Sequence, residues 1–217
     1  KAEGHTWTYH LHVPLKARSA SAPLVLVFHG AGGNGKDYLI KNGWVALSEK
    51  EGFVVAAPDG LPALPRLPAS FRMNPRLWNS GQLNPNMPRA KVNDLSFVKA
   101  LLDDIVQRTA VDKSRIYATG HSNGGGFTYL LWAARCDVFA AVAPSAAVPG
   151  KSAADLKPKP ALHVAGETDP LVKYNWQKMT IERIKKLNNG TPEGILRSRI
   201  AGLVFLINRL PREAGLD

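Results

Sequence analysis

The stretch Tyr117-Ala118-Thr119-Gly120-His121-Ser122-Asn123-Gly124-Gly125-Gly126 decides how the chain is read, because it sets one serine between glycines where a short apolar strand stops and a helix can begin. Residues 115–119 have the composition of a strand, and residues 127–134 can run on as a helix. In that setting Gly120-His121-Ser122-Asn123-Gly124 has the form of a nucleophile elbow. Such a turn holds its serine at a sharp, strained bend. Gly120 and Gly124 keep Cβ atoms out of the strand-to-helix contact, and the hydroxyl projects above the sheet at a helix N-terminus. A plain glycine-rich turn is the alternative reading, and the flanking strand and helix favour the elbow.

Upstream, Leu24-Val25-Leu26-Val27-Phe28 is a continuous apolar run between Pro23 and His29-Gly30, as expected of a central strand covered on both faces. The loop His29-Gly30-Ala31-Gly32-Gly33-Asn34-Gly35 follows directly and can bring backbone N–H groups close to a ligand, as an oxyanion hole requires. A phosphate loop of the Walker type fails here, since Lys36 is followed by Asp37 where the pattern requires Ser/Thr. Residues 36–50 carry apolar side chains at helical spacing, with Gly52 as the stop, and Phe53–Pro58 reads as the next buried strand. Strand, glycine loop, helix and strand make a βαβ unit, so the sheet is expected to be mostly parallel, with helices on both faces.

Further along, residues 59–93 form a long connection rich in proline, asparagine and arginine, a possible lid or pocket wall with Trp78 and Asn79 as its contact residues. The alternative is a solvated insertion with Trp78 tucked into the core. Asp94 is placed to cap an amphipathic helix running to about Thr109, with Asp103 and Asp104 on its solvent side. Val138–Ala143 and Ala161–Gly166 are two more buried strands. The second ends in Glu167-Thr168-Asp169-Pro170, where a hydrolase with triad order Ser, Asp, His carries its acid. An Asp-Pro turn opening the helix of residues 171–187 is the other reading of Asp169. At the N-terminus, Thr6–Val13 alternates like an edge strand ending at Pro14. That alternation puts His10 and His12 on one face with no acidic or cysteine partner nearby in sequence, so no metal site is expected.

At 217 residues and 45% hydrophobic, the whole of residues 1–217 is expected to form one domain. No run approaches the roughly 18 apolar residues needed to span a bilayer. Lys1–His5 lacks the form of a signal peptide, which leaves open that one was removed before residue 1, so the sequence assigns no compartment. The single Cys136 excludes an internal disulfide or a cysteine zinc site and is expected to be a small buried apolar residue. The net charge of +11 comes from basic residues spread along the chain, without an arginine stripe or an aromatic RNA-binding signature, so no nucleic-acid partner is expected.

Taken in order, His29-Gly30-Ala31-Gly32-Gly33, Trp78-Asn79, Val111–Tyr117, Gly120–Gly125 and Gly166–Pro170 resemble the polyhydroxybutyrate depolymerase and feruloyl esterase group of α/β-hydrolases. The resemblance runs to about Leu187. It implies an α/β-hydrolase fold and serine carboxylesterase activity, without metal or organic cofactor, on small or polymeric esters such as plant cell-wall phenolic or acetyl esters or polyesters. By position it makes Ser122 the nucleophile and Asp169 the triad acid. The N–H groups of Asn123 and of the Gly30-Ala31 region form the oxyanion hole, with Trp78, Asn79 and His121 toward the substrate. The group also carries a histidine after the acid, in a loop following the last strand, and here no histidine follows His163. Residues 200–207 resemble that last strand, but Asn208–Gly215 stands where the histidine loop is expected. The C-terminal part is therefore expected to be shortened relative to the group, and a catalytically impaired or purely binding hydrolase fold is the alternative function.

Overall fold

A computed structural model describes residues 4–188, and residues 195–200 and 203–208 as backbone strands. In chain order the elements are β1 (Tyr9–His12), β2 (Ala22–Phe28), α1 (Gly35–Lys41), α2 (Trp44–Glu51), β3 (Val54–Pro58), β4 (Leu61–Pro62) and β5 (Arg76–Leu77). There follow α3 (Asp94–Arg108), β6 (Val111–His121), α4 (Asn123–Ala134), β7 (Ala141–Ser145), β8 (Ala161–Gly166), α5 (Tyr174–Leu187), β9 (Ile195–Ile200) and β10 (Leu203–Asn208).

The central sheet has the order β1-β3-β2-β6-β7-β8-β10-β9. Its five middle strands run parallel, with β1 antiparallel at one edge and the β10-β9 pair antiparallel at the other. The strand pattern explains why the middle strands read as unbroken apolar runs. In β2, Leu24, Leu26 and Phe28 enter the larger core under α3 and α4, while Val27 enters the core under α1 and α2. In β3, Val54 and Ala56 go one way and Val55 and Ala57 the other. Both faces are covered, so alternation disappears from the sequence.

This order also positions the site. From β2 the chain first steps outward to β3, then crosses back to place β6 on the other side of β2. The crevice at the carboxyl ends of β2 and β6 is therefore the switch point of the sheet, where open α/β sheets bind ligands. The register pairs Phe28 with Gly120, so the loop after Phe28 and the turn after His121 emerge side by side.

Several local expectations change. The helix expected over residues 36–50 is two helices, because Gly43 adopts φ 74 between them and breaks the run. Asn93, not Asp94, caps α3 by accepting from the N–H groups of Leu95 and Ser96. Asp94 is instead buried against Arg89, and neither side chain is exposed. Asp103 and Asp104 do face solvent, paired with Lys99 and Arg108. Cys136 is only partly buried, packed against the edge of the larger core. At the carboxyl side, the single strand expected over residues 200–207 is β10, joined by a partner strand β9 that the sequence reading did not separate. The histidine-loop positions 209–215 lie outside the described residues.

Residues 59–93 are knit into the body. Asn74 uses its side-chain amide to hold Leu64, Leu67 and Pro68. Arg89 donates to the carbonyls of Leu61 and Leu77 and to the Asp94 carboxylate, and its guanidinium lies 5.6 Å from the centre of the Trp7 ring.

Candidate active site

Ser122 sits at φ 54 and ψ −119, between the last residue of β6 and the first of α4. A non-glycine residue held there costs on the order of 1–3 kcal/mol and persists only when its surroundings over-determine it. Two backbone bonds do so: Ser122 N–H donates to the Ser145 carbonyl at 2.9 Å, and Ser122 C=O accepts from Gly126 N–H at 2.9 Å. Close approach explains the two flanking glycines. A Cβ on Gly120 would lie 2.4 Å from the Gly124 oxygen, and one on Gly124 would lie 2.3 Å from the Phe28 oxygen. The helix is thereby pressed onto the end of β2, and its first N–H groups face the space above the serine.

The loop after β2 completes that space. A Cβ built on Gly30 would be 3.6 Å from the Ser122 Cβ, so this loop passes directly beside Ser122. His29, 1% exposed, sets its conformation. Gly60 N–H donates to His29 Nε2 at 2.9 Å, so that nitrogen is the acceptor and the proton is on Nδ1. Nδ1–H then donates to the Gly30 carbonyl at 2.7 Å, which also accepts from Gly33 N–H at 3.1 Å. The Gly30 C=O and the Ala31 N–H belong to one planar trans peptide and point in opposite directions. Fixing the carbonyl therefore aims the Ala31 N–H the other way, and neither it nor the Asn123 N–H has an acceptor among the described residues. Burial also lowers the His29 pKa, and both ring nitrogens are engaged, so His29 positions the loop and is not a base. The sequence placed His29 in the loop but gave no sign of this role beyond its place before Gly30.

Of the residues expected toward the substrate, His121 lines the cleft beside the elbow, with its Nδ1 3.4 Å from Ser145 Oγ. Trp78 does not. It is wholly buried, stacked with Phe127 and Phe97, and its indole N–H donates to the His29 carbonyl at 3.0 Å. The Asn123 side chain clasps the Trp78 backbone, accepting from its N–H at 2.6 Å and donating to its C=O at 2.9 Å. Asn123 thus offers the cleft only its backbone N–H. Asn79 is likewise turned inward, donating to the Ala90 and Val92 carbonyls at 2.8 and 2.9 Å. Trp78 supports the loop after β2 from beneath through the His29 carbonyl, while Asn79 ties the long connection to the start of α3.

The cleft measures about 1070 Å³. One wall comes from the loop after β2 and α1, another from Ser70, Phe71 and Arg76 of the long connection. Phe71 is 73% exposed, and its ring covers Gly32. Nothing local in the sequence marks Ser145, Phe71 or Arg76 for this site, since only the folded chain brings them to its mouth.

Asp169 lies in the loop after β8 and closes an Asx turn, its Oδ1 accepting from the N–H groups of Leu171 and Val172, each at 2.9 Å. Its Oδ2 has no partner among the described residues. No histidine hydrogen-bonds to Asp169 or to the Ser122 hydroxyl among the described residues. His10 also lines the cleft, but from β1, three strands from β6, or roughly 14 Å at about 4.8 Å per strand, with its Nε2 3.7 Å from Asp59 Oδ2, and His12 on the same strand pairs with Glu49. His163 is buried in β8, where desolvation lowers its pKa to about 4. No group of three or more His, Cys, Asp or Glu side chains suited to a metal ion occurs among the described residues.

Comparison with known proteins agrees with this architecture. Residues 83–159, which include α3 and the elbow, match the model of the prolyl oligopeptidase family. The chain is 29% identical to feruloyl esterase B of Piromyces equi over 71% of its length and 27% of that protein's. It is 31% identical to poly(3-hydroxyalkanoate) depolymerase C of Paucimonas lemoignei over 67% of its length and 32% of that protein's. The chain spans less than half the length of the curated relatives it matches. Among solved structures, an S-formylglutathione hydrolase from Agrobacterium tumefaciens superposes with a TM-score of 0.68 at 18% identity, covering 83% of this chain and 77% of that one. The sheet order and the strained serine at its switch point are those of the α/β-hydrolase fold, and curated relatives that the chain resembles are named as esterases.

Proposed function

We propose that the protein hydrolyses carboxylic esters through an acyl-enzyme on Ser122. The observation that carries this reading is the strained Ser122 backbone, set beside two N–H groups without acceptors among the described residues, those of Ala31 and Asn123. In the reaction the Ser122 oxygen attacks the ester carbonyl, the carbonyl oxygen becomes an oxyanion between those N–H groups, and the alcohol departs to leave the acyl group on the serine. Water then attacks the acyl-enzyme and releases the acid. Asp169 is the carboxylate that would orient and stabilise a protonated imidazole.

The proton acceptor sets the rate. His121 is the histidine in the cleft next to the serine, and its ring nitrogens are not tied to buried backbone. A triad lacking its histidine retains roughly 10³–10⁴-fold acceleration over water from the oxyanion hole and binding. Activated aryl esters, whose phenolate leaves without needing a proton, are therefore the substrates on which turnover shows. With p-nitrophenyl acetate, the parent protein is expected to exceed Ser122→Ala by about tenfold or more, because both keep the oxyanion N–H groups and only the parent can form the acyl-enzyme. Equal rates would sink the enzyme reading. They would favour the second one, a hydrolase fold that binds esters without cleaving them, which the lack of a histidine on the Ser122 hydroxyl among the described residues motivates.

A further inference from the structure

We infer that Tyr129, His163 and Gln177 are positioning residues, a directed hydrogen-bond strut that holds the Asp169 loop in register with the helix behind Ser122. The inference rests on the reading of Ser122 and Asp169 as nucleophile and acid. Tyr129 lies on α4, His163 on β8 and Gln177 on α5, and all three are buried at 1% exposure or less. Tyr129 Oη is 2.6 Å from His163 Nδ1, His163 Nε2 is 3.2 Å from Gln177 Oε1, and Gln177 Nε2 is 2.8 Å from the Val172 carbonyl.

The last contact fixes every proton in the chain. A carbonyl only accepts, so Gln177 must present its NH₂ to Val172 and its oxygen to His163. His163 Nε2 must then carry the proton, which leaves Nδ1 as a lone pair that takes the Tyr129 O–H. The neutral imidazole this demands agrees with burial, which disfavours the charged ring.

Core stability alone does not account for the strut. Apolar side chains of similar volume fill a core about as well as a buried polar network, whereas breaking one member leaves a buried group unsatisfied at about 1–3 kcal/mol. What the polar chain supplies is a defined end point. It finishes on the carbonyl of Val172, whose own N–H donates to Asp169 Oδ1. Its other end is on α4, which begins at the residue after Ser122. Nucleophile and acid are thereby tied to one frame across the β7 strand that lies between β6 and β8.

Amide hydrogen exchange at Leu171 and Val172, the two N–H groups bonded to Asp169, reads the strut without depending on turnover. Gln177→Leu and the nearly isosteric Tyr129→Phe are expected to speed exchange there roughly five- to tenfold, as loss of one net hydrogen bond implies. Amides of β2 should keep their protection. His163→Leu should act likewise, and His163→Gln, which keeps a donor toward Gln177 and an acceptor toward Tyr129, should restore most of the protection. Unchanged exchange at Leu171 and Val172 in folded Gln177→Leu would overturn the strut, as would a uniform rise across the sheet or no difference between His163→Leu and His163→Gln. Asp169→Asn separates this from the underlying reading. If that variant leaves ester hydrolysis intact while the strut variants still loosen Leu171 and Val172, the acid assignment fails and the strut stands.

Discussion

Gly124→Ala is expected to leave little folded protein. Its new methyl would lie 2.3 Å from the Phe28 oxygen and 2.5 Å from the His29 oxygen, both of them backbone atoms at the end of a central strand. A flexible side chain could swing aside, but here α4 would have to lift off β2, parting the loop after β2 from the serine. Losses on the order of 4 kcal/mol or more belong to such unrelievable overlaps, against total stabilities of about 5–15 kcal/mol for ordinary domains. Gly30→Ala makes the contrast. Its methyl would meet His121 and Ser122 at 3.4 to 3.6 Å, ordinary contact, so that variant should fold with a midpoint near the parent's. Denaturant unfolding of the pair checks the ordering, and equal midpoints would show that the helix is not pressed onto the strand as described.

Arg89→Met should also be strongly destabilising. Asp94 would keep the Asn79 N–H, which donates to its Oδ2 at 2.8 Å, but would lose the guanidinium on the same oxygen, in a site with no exposure. Breaking a buried ion pair on one side typically costs about 3–5 kcal/mol. The deficit should depend on pH. Burial already holds the Asp94 carboxyl above its ordinary range against the opposing pull of Arg89, and removing Arg89 leaves burial dominant. A carboxyl whose folded pKa lies above the unfolded value of about 4 contributes fully below that value and loses its contribution as pH rises through the folded pKa. Arg89→Met should therefore lie closest to the parent in acid and farthest from it at neutral pH. The double variant Arg89→Met/Asp94→Leu should recover much of the loss at neutral pH. Unfolding midpoints at pH 5 and pH 7 measure both effects, and a pH-independent deficit would contradict a buried, charged Asp94.

The parts of this protein that could be read directly are those that local chemistry dictates. Strands β2 and β3 show as unbroken apolar runs because both faces are covered, and the elbow shows because its glycines are forced by backbone contact. The α/β-hydrolase architecture follows from these, and the esterase relatives agree with it. What could not be read depends on partners far apart in sequence. Trp78 has an outward alternative until Asn123, 45 positions later, clasps its backbone. Asp94 has the right type and place for a cap, but Arg89 draws it inward and Asn93 takes the role. His163 reads as a strand residue because its partners lie on α4 and α5, 34 and 14 positions away. Gly43 was legible in principle, since a glycine amid helical spacing is a candidate break, but its left-handed conformation is set by how α1 and α2 pack separately on the sheet.

The central claim is that Ser122 is a built nucleophile, and covalent capture tests it most directly. After incubation with an alkyl fluorophosphonate, which phosphonylates serine Oγ and expels fluoride, tandem mass spectrometry locates the modified residue. One phosphonyl group on Ser122, and none at equal exposure on the Ser122→Ala chain, is the predicted result. A folded protein whose Ser122 stays unmodified, or a Ser122→Ala chain labelled to the same extent, would contradict it.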